Sequence, residues 1–123
     1  LRSFEKNESV VIRSPKATRP WQHVLEPLSG YLILAEKLYE NQGEYAEGWN
    51  FGPNEQGVKP VNWILDHMIE LWHGASWVLN EKENPHEATF LNLDISKASG
   101  LLGWTPTWDL SITLGSIIRW HRL

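Results

Sequence analysis

The densest run of residues able to do chemistry lies at positions 13–23, which read Arg-Ser-Pro-Lys-Ala-Thr-Arg-Pro-Trp-Gln-His. Arg13 and Arg19 can each recognise phosphate oxygens through two parallel hydrogen bonds. Trp21 offers a ring that can stack on a nucleotide base. The β-branched run Val10–Ile12 predicts a strand leading into this proline-stiffened loop. The segment is a candidate clamp for a diphosphate and a base; the alternative is a salt-bridged arginine beside a core tryptophan.

Other catalytic signatures are missing. The nine glycines form no Gly-x-Gly-x-x-Gly turn, no P-loop and no Gly-x-Ser-x-Gly elbow. There is no cysteine and no His-Glu-x-x-His pair, so metal chemistry is not supported. His86 beside Glu87 could polarise a group, although a solvated loop pair is the simpler interpretation. None of the three tyrosines has a lysine four residues later.

Length and charge limit the classes of function. The 123 residues, 14.2 kDa, carry a net charge of −4, which argues against a general polyanion binder. No run of 18 apolar residues could span a membrane. Eight tryptophans predict either a crowded core or surfaces for sugars and partners. Because the chain begins with Leu1 rather than Met, we expect it to have been cut from a longer one.

Hydrophobic periodicity predicts four helices alternating with three short strands, an α/β arrangement. The helices are expected from Val24 to before Gly43, from Pro60 to Gly74, from Asp94 or Ser96 to Gly103, and from about Asp109 onward. The strands are expected at Val10–Ile12, Trp49–Phe51 and Ser76–Asn80, with loops at Lys16–Gln22 and Glu81–Glu87.

The strand predicted at Trp49–Phe51 is apolar and flanked by helices, as is typical of a strand buried in a parallel sheet. Its neighbours are not evident in this chain. Three strands of three to five residues are too few for a comfortable sheet. The sequence therefore predicts that part of the sheet is missing.

Several motifs occur together in one order: Arg-Ser-Pro, Ala-Thr-Arg-Pro-Trp-Gln-His-Val, Trp-Asn-Phe-Gly-Pro, Pro-His-Glu-Ala-Thr, and Asp-Ile-Ser-Lys-Ala with Leu-Gly-Trp. The series resembles the C-terminal part of extended short-chain dehydrogenases/reductases, the nucleotide-sugar epimerases and dehydratases. The second motif is similar to that of the CDP-glucose 4,6-dehydratases. Relatives usually have Arg-Asp-aromatic where this chain has Arg19-Pro20-Trp21.

The resemblance implies a fold and a site. The fold is the substrate-binding lobe of an extended Rossmann-type enzyme, with residues 1–123 as a partial, nucleotide-sugar-binding domain and the N-terminal dinucleotide-binding half absent. Arg19 falls on the arginine that contacts the substrate diphosphate. The strand Val11–Arg13 lies along the base, with Trp21 nearby. Where relatives have a second basic phosphate contact, this chain has Asn84 and His86. Trp104 is expected to be a packing residue.

The resemblance also implies a reaction. With tightly held NAD, bound by the absent half, a cytoplasmic lyase of this kind converts CDP-glucose into CDP-4-dehydro-6-deoxyglucose and water, in bacterial dideoxysugar and surface-polysaccharide synthesis. The full-length protein would be a homo-oligomer with no nucleic-acid or membrane partner. The catalytic Tyr-x-x-x-Lys pair and the glycine fingerprint are not in these residues, so the fragment alone should be inactive. Two alternatives remain: another nucleotide-sugar dehydratase or epimerase, and a non-catalytic Trp-rich module binding a sugar or a partner.

Overall fold

A computed structural model describes residues 1–41, 43–80 and 88–123. It contains five helices and four three-residue strands in these ranges. The helices are α1 (Arg2–Glu5), α2 (Leu25–Glu40), α3 (Val61–Leu71), α4 (Ser96–Leu102) and α5 (Leu110–His121). The strands are β1 (Val10–Ile12), β2 (Thr18–Pro20), β3 (Val58–Pro60) and β4 (Trp77–Leu79). The mixed helix–strand prediction is confirmed.

The strands form two separate pairs. β1 pairs in parallel with β4, with Val11 opposite Val78. β2 pairs antiparallel with β3, with Arg19 opposite Lys59. The prediction of an ordered loop over Lys16–Gln22 is wrong for Thr18–Pro20, because β2 lies inside it. Pro20 is compatible with a strand here because it is the last residue of β2, where a missing N–H removes little of the ladder.

The prediction of a strand at Trp49–Phe51 is also wrong, as far as pairing within the described residues goes. These residues join neither strand pair. A β-strand needs a hydrogen-bonded neighbour, and none of the described segments supplies one here. Phe51 is nevertheless buried, and its ring contacts the Trp104 ring edge-on at 5.0 Å.

Among the described residues, most of the buried apolar side chains that pack together form two clusters. The first surrounds Phe51, Ala98, Leu102 and Trp104 and is bordered by α2 and α4. The second contains Ile64, Leu110 and Leu114 and joins α3 to α5. Trp104 is 2% exposed, which confirms that it is a packing residue.

Helix ends follow local chemistry. The Asp109 side chain accepts a hydrogen bond from the Ile112 N–H at 2.7 Å and so caps α5. Gly103 ends α4 with a φ of 66°, a left-handed conformation that favours glycine. None of the helices in residues 1–41, 43–80 and 88–123 is long and apolar enough to cross a membrane.

Candidate functional site

The β2–β3 pair and its flanks fix the position of Trp21. The Trp21 backbone N–H donates to the Gly57 carbonyl at 2.9 Å, continuing the ladder by one residue. Its indole Nε1–H donates to the Lys59 carbonyl at 2.8 Å. With backbone and ring both held, the indole cannot rotate freely and forms a fixed wall beside Arg19.

Arg19 is held by two backbone carbonyls. Its Nη1 donates to the Thr18 oxygen at 2.9 Å and to the Ala88 oxygen at 2.8 Å. The segment that contains Ala88 runs beside β2, because the Thr18 N–H donates to the Thr89 oxygen and the Leu91 N–H donates to the Thr18 oxygen. The guanidinium is thus oriented by a segment 69 residues away in sequence.

A groove of about 330 Å³ joins the predicted site residues. Val11, Arg13, Arg19 and Trp21 all line it, although they come from β1, β2 and the segments that follow these strands. The remaining lining residues are Ile12, Ser14, Ala17 and Val61. The other two predicted site residues, Asn84 and His86, lie outside the described residues.

The composition of this groove suits an anion attached to a flat ring. Two guanidinium groups provide the planar donor geometry that matches phosphate oxygens. Val11, Ala17 and Val61 provide an apolar wall, and Trp21 provides an aromatic one. A groove with this combination can bind a nucleoside diphosphate by its phosphates and its base together.

The sequence analysis did not identify Val61 as a lining residue. Its N–H donates to the Ala17 oxygen at 3.1 Å, and the Asn62 N–H donates to the Pro15 oxygen at 2.9 Å. These bonds dock the start of α3 against the loop after β1. The sequence around Val61 predicts only that a helix starts after Pro60. It does not indicate that this helix start contacts a loop more than 40 residues earlier.

A larger cleft of about 620 Å³ lies elsewhere, between residues 53–55 and 92–96. Glu55 and Asp94 line it. Hydrogen bonds from the Ser96 hydroxyl and the Ser96 N–H hold the pKa of the Asp94 carboxyl below its ordinary value of 3.8. This cleft therefore presents negative charge at neutral pH, the wrong sign for a phosphate, and we assign the candidate site to the smaller groove.

The described residues do not fit a dinucleotide. A dinucleotide pyrophosphate is held by a glycine-rich turn that leads from a strand into a helix N-terminus. The four longer helices begin after Val24, Pro60, Ile95 and Asp109, none of which is glycine. The starts of these four helices therefore provide no glycine-rich cradle for NAD.

Known proteins resemble this chain over its whole length. The chain is 54% identical, over 123 residues and 99% of its length, to a CDP-glucose 4,6-dehydratase from Salmonella typhimurium. It spans 34% of that protein, about a third of its length. No protein-family model matches the chain.

Solved structures share the fold. A UDP-glucuronic acid 4-epimerase variant from Bacillus cereus, in complex with UDP-4-deoxy-4-fluoro-glucuronic acid and NAD, superposes with a TM-score of 0.80 at 22% identity. The match covers 98% of this chain and 37% of the epimerase. A dTDP-glucose 4,6-dehydratase from Bacillus anthracis, in complex with NAD, gives a TM-score of 0.73 at 15% identity, covering 98% and 36%.

The N-terminal part of these structures has no counterpart in the present chain. Over its whole length the chain corresponds in sequence to the C-terminal part of a CDP-glucose 4,6-dehydratase. In fold it corresponds to the same part of the extended short-chain dehydrogenases/reductases that act as nucleotide-sugar dehydratases and epimerases.

Proposed function

We propose that this chain is the substrate-binding part of a CDP-glucose 4,6-dehydratase and that it holds the nucleoside diphosphate of CDP-glucose in the groove between Arg13 and Arg19. The single observation that supports this most is that Val11, Arg13, Arg19 and Trp21 line one groove. The 54% identity to an enzyme of that name supports the choice of CDP-glucose as substrate.

In this proposal each residue binds or orients and none reacts. Arg19 pairs with diphosphate oxygens, and its bonds to the Thr18 and Ala88 carbonyls keep the guanidinium at the right angle. Arg13 and Val11 lie along the cytosine, with Trp21 closing the groove. His86 or Asn84 takes the place of the second basic phosphate contact found in relatives. NAD, held by the other part of the enzyme, supplies the hydride chemistry.

The chain by itself should not convert CDP-glucose. None of its three tyrosines has a lysine four residues on, and it contains no glycine fingerprint for a dinucleotide. In this proposal only the complete enzyme releases CDP-4-dehydro-6-deoxyglucose and water. A full-length test protein is a chimera in which this chain replaces the matching third of the Salmonella typhimurium relative.

The decisive variant is Arg19→Ala in this chimera. A bidentate contact to a charged group contributes about 1.5–3 kcal/mol, so the Kd for CDP-glucose should rise about ten- to 150-fold. Because the contact is equal in ground and transition states, KM should rise while kcat changes little. Isothermal titration calorimetry and steady-state kinetics measure the two effects.

Two further variants control this experiment. Arg19→Lys keeps the positive charge but loses the planar donor pair, and it should recover only part of the affinity. Arg119→Ala removes an exposed arginine on α5 that contacts only its own helix through Ser116 among the described bonds, and it should leave affinity unchanged. Undiminished CDP-glucose affinity in Arg19→Ala would count decisively against the proposal.

Competition with other nucleotides tests the alternative of a related dehydratase or epimerase. CDP should inhibit the chimera more strongly than UDP, TDP or GDP. Stronger inhibition by UDP, TDP or GDP than by CDP would mean that the substrate is a different nucleotide sugar. A Trp-rich binding module is less well supported, because Trp104 is buried and the rings of Trp21, Trp49, Trp63 and Trp72 are at least half-buried against neighbours.

A further inference from the structure

Lys59 on β3 stands directly opposite Arg19 on β2. In an antiparallel pair, two residues in register project their side chains from the same face of the sheet. Side chains two positions apart along a strand share a face as well. Lys59 therefore projects from the face that carries Arg19 and Trp21, the residue that continues the ladder beyond β2.

The same face is the floor of the candidate groove. Ala17, Arg19 and Trp21 alternate along β2 and its flanks, and all three line the groove. Val61 also lines it and lies opposite Ala17, because its N–H donates to the Ala17 carbonyl at 3.1 Å. Lys59 comes two positions before Val61, so its stem rises from the strand that borders this floor.

The Lys59 ammonium has only a weak partner in the described part of the chain. It lies 5.7 Å from the centroid of the Trp63 ring, near the limit of about 6 Å at which an aromatic face attracts a cation. No described residue accepts a hydrogen bond from it. A lysine ammonium carries three N–H donors on a flexible stem, so it can turn to a stronger partner.

Arg19 and Lys59 place two positive charges opposite each other. Like charges in this position destabilise a pair of strands. The Arg19 guanidinium leans toward the other edge of β2, where it donates to the Thr18 and Ala88 carbonyls beside the bridge to Phe90. A gap over β2 therefore separates the guanidinium from the ammonium. An anion in this gap is attracted from both sides and cancels the repulsion.

We propose that Lys59 binds the diphosphate of the substrate from the β3 side, opposite Arg19. This inference rests on the proposed function, which places the diphosphate at Arg19. The ammonium turns from the Trp63 ring to the phosphate oxygens and donates charge-assisted hydrogen bonds to them. Lys59 is a binding residue, additional to the contact proposed for His86 or Asn84.

The first test is the affinity of the Lys59→Met chimera for CDP-glucose, measured by isothermal titration calorimetry. Methionine keeps an unbranched apolar stem and removes the charge, so Kd should rise about five- to fiftyfold. Lys59→Arg keeps a cation and should stay within about threefold of the unchanged chimera. Lys37→Met is the matched control. It removes the same charge from α2, where Lys37 pairs with Glu40 at 3.5 Å, and should leave Kd unchanged.

Cytidine separates a phosphate contact from a contact to the base. It has the base and the ribose but no phosphate, so it should compete equally well in the Lys59→Met chimera and in the unchanged one. CDP should lose affinity as CDP-glucose does. An equal loss for cytidine would overturn the inference, because Lys59 would then act on the nucleoside.

Thermal unfolding of the chimera separates binding from a structural role. Lys59→Met removes the repulsion of Arg19, so the Tm without ligand should stay the same or rise. CDP-glucose should then raise this Tm by less than it does in the unchanged chimera. A lysine that only packs on Trp63 gives the opposite result, a lower Tm without ligand and a Kd within about twofold of the unchanged value. That result would overturn the inference.

The Arg19→Ala variant keeps the two proposals apart. A chimera that loses affinity through Arg19→Ala but tolerates Lys59→Met would contradict only the role of Lys59. If neither variant loses affinity, the proposed function fails, and the inference about Lys59 fails with it.

Discussion

At the scale of single residues, Glu26 is a buried carboxylate that three hydrogen bonds hold in place. It lies in the first turn of α2 and is only 5% exposed. Its carboxylate accepts hydrogen bonds from the Thr107 N–H at 3.0 Å, the Thr107 hydroxyl at 3.0 Å and the Trp108 N–H at 2.9 Å. One side chain thus ties the start of α2 to the segment that leads into α5.

We expect Glu26→Gln to lower the free energy of unfolding by about 1–3 kcal/mol, because an amide NH₂ would face a buried N–H donor and leave it unpaired. Thr107→Val is the matched control. It removes only the hydroxyl bond and should cost about 1 kcal/mol. Urea denaturation of the chain measures both values. If Glu26→Gln were no less stable than Thr107→Val, the carboxylate would not be the link described here.

The residues of the candidate groove could be named from the sequence, but their arrangement could not. Arg13, Arg19 and Trp21 were visible because they cluster within nine positions and have types suited to phosphate and base. Val61 was not, because it reaches the groove through backbone bonds to Pro15 and Ala17 that no local pattern encodes. One partner of Arg19, Ala88, is still more remote in sequence.

At the scale of elements, the contact between α2 and the Trp49–Phe51 segment depends on Gly30. Glycine in a helix interior normally costs about 1 kcal/mol relative to alanine. Here the Phe51 ring occupies the place of a Cβ, at 2.2–2.4 Å from its ideal position. Close packing of the helix on this segment therefore outweighs helix propensity.

Gly30→Ala and Gly115→Ala should change stability in opposite directions. Gly30→Ala forces a methyl group into the Phe51 ring and should destabilise the chain by about 1–3 kcal/mol. Gly115 lies inside α5, where a Cβ would meet nothing within 4 Å, so Gly115→Ala should stabilise by up to about 1 kcal/mol. Thermal unfolding followed by circular dichroism shows the sign of each change. A stabilising Gly30→Ala would mean that α2 does not pack on Phe51 as described.

Helices were easier to predict than strand pairing. The start of α2 near Pro27, the start of α3 after Pro60 and the end of α4 at Gly103 follow from residues next to the boundary. β2 and β3 are three residues each, and their pairing joins positions about 40 residues apart. Short strands have no periodicity of their own, so tertiary contacts determine them.

At the scale of the whole molecule, the described residues contain two core clusters and a large uncovered apolar surface. Helix α2 has an exposed apolar stripe of five residues, Leu25, Leu28, Leu32, Ala35 and Tyr39. At its N-terminal end this stripe continues into a groove of about 520 Å³ lined mainly by apolar residues, among them Val24, Trp108 and Trp120. Trp120 is 79% exposed. Soluble monomers rarely leave so much contiguous apolar surface open to water.

The chain on its own should therefore associate without a fixed stoichiometry as its concentration rises. Light scattering should show a weight-average mass that climbs steadily above 14.2 kDa, and the fluorescence of 8-anilinonaphthalene-1-sulfonate should increase on binding to the open face. Leu32→Glu should reduce both signals, because it places a charge in the middle of the stripe. Leu101→Glu, on α4 and 60% exposed, should reduce them less. A chain that remains monomeric and binds no dye at high concentration would show that the exposed stripe does not drive association.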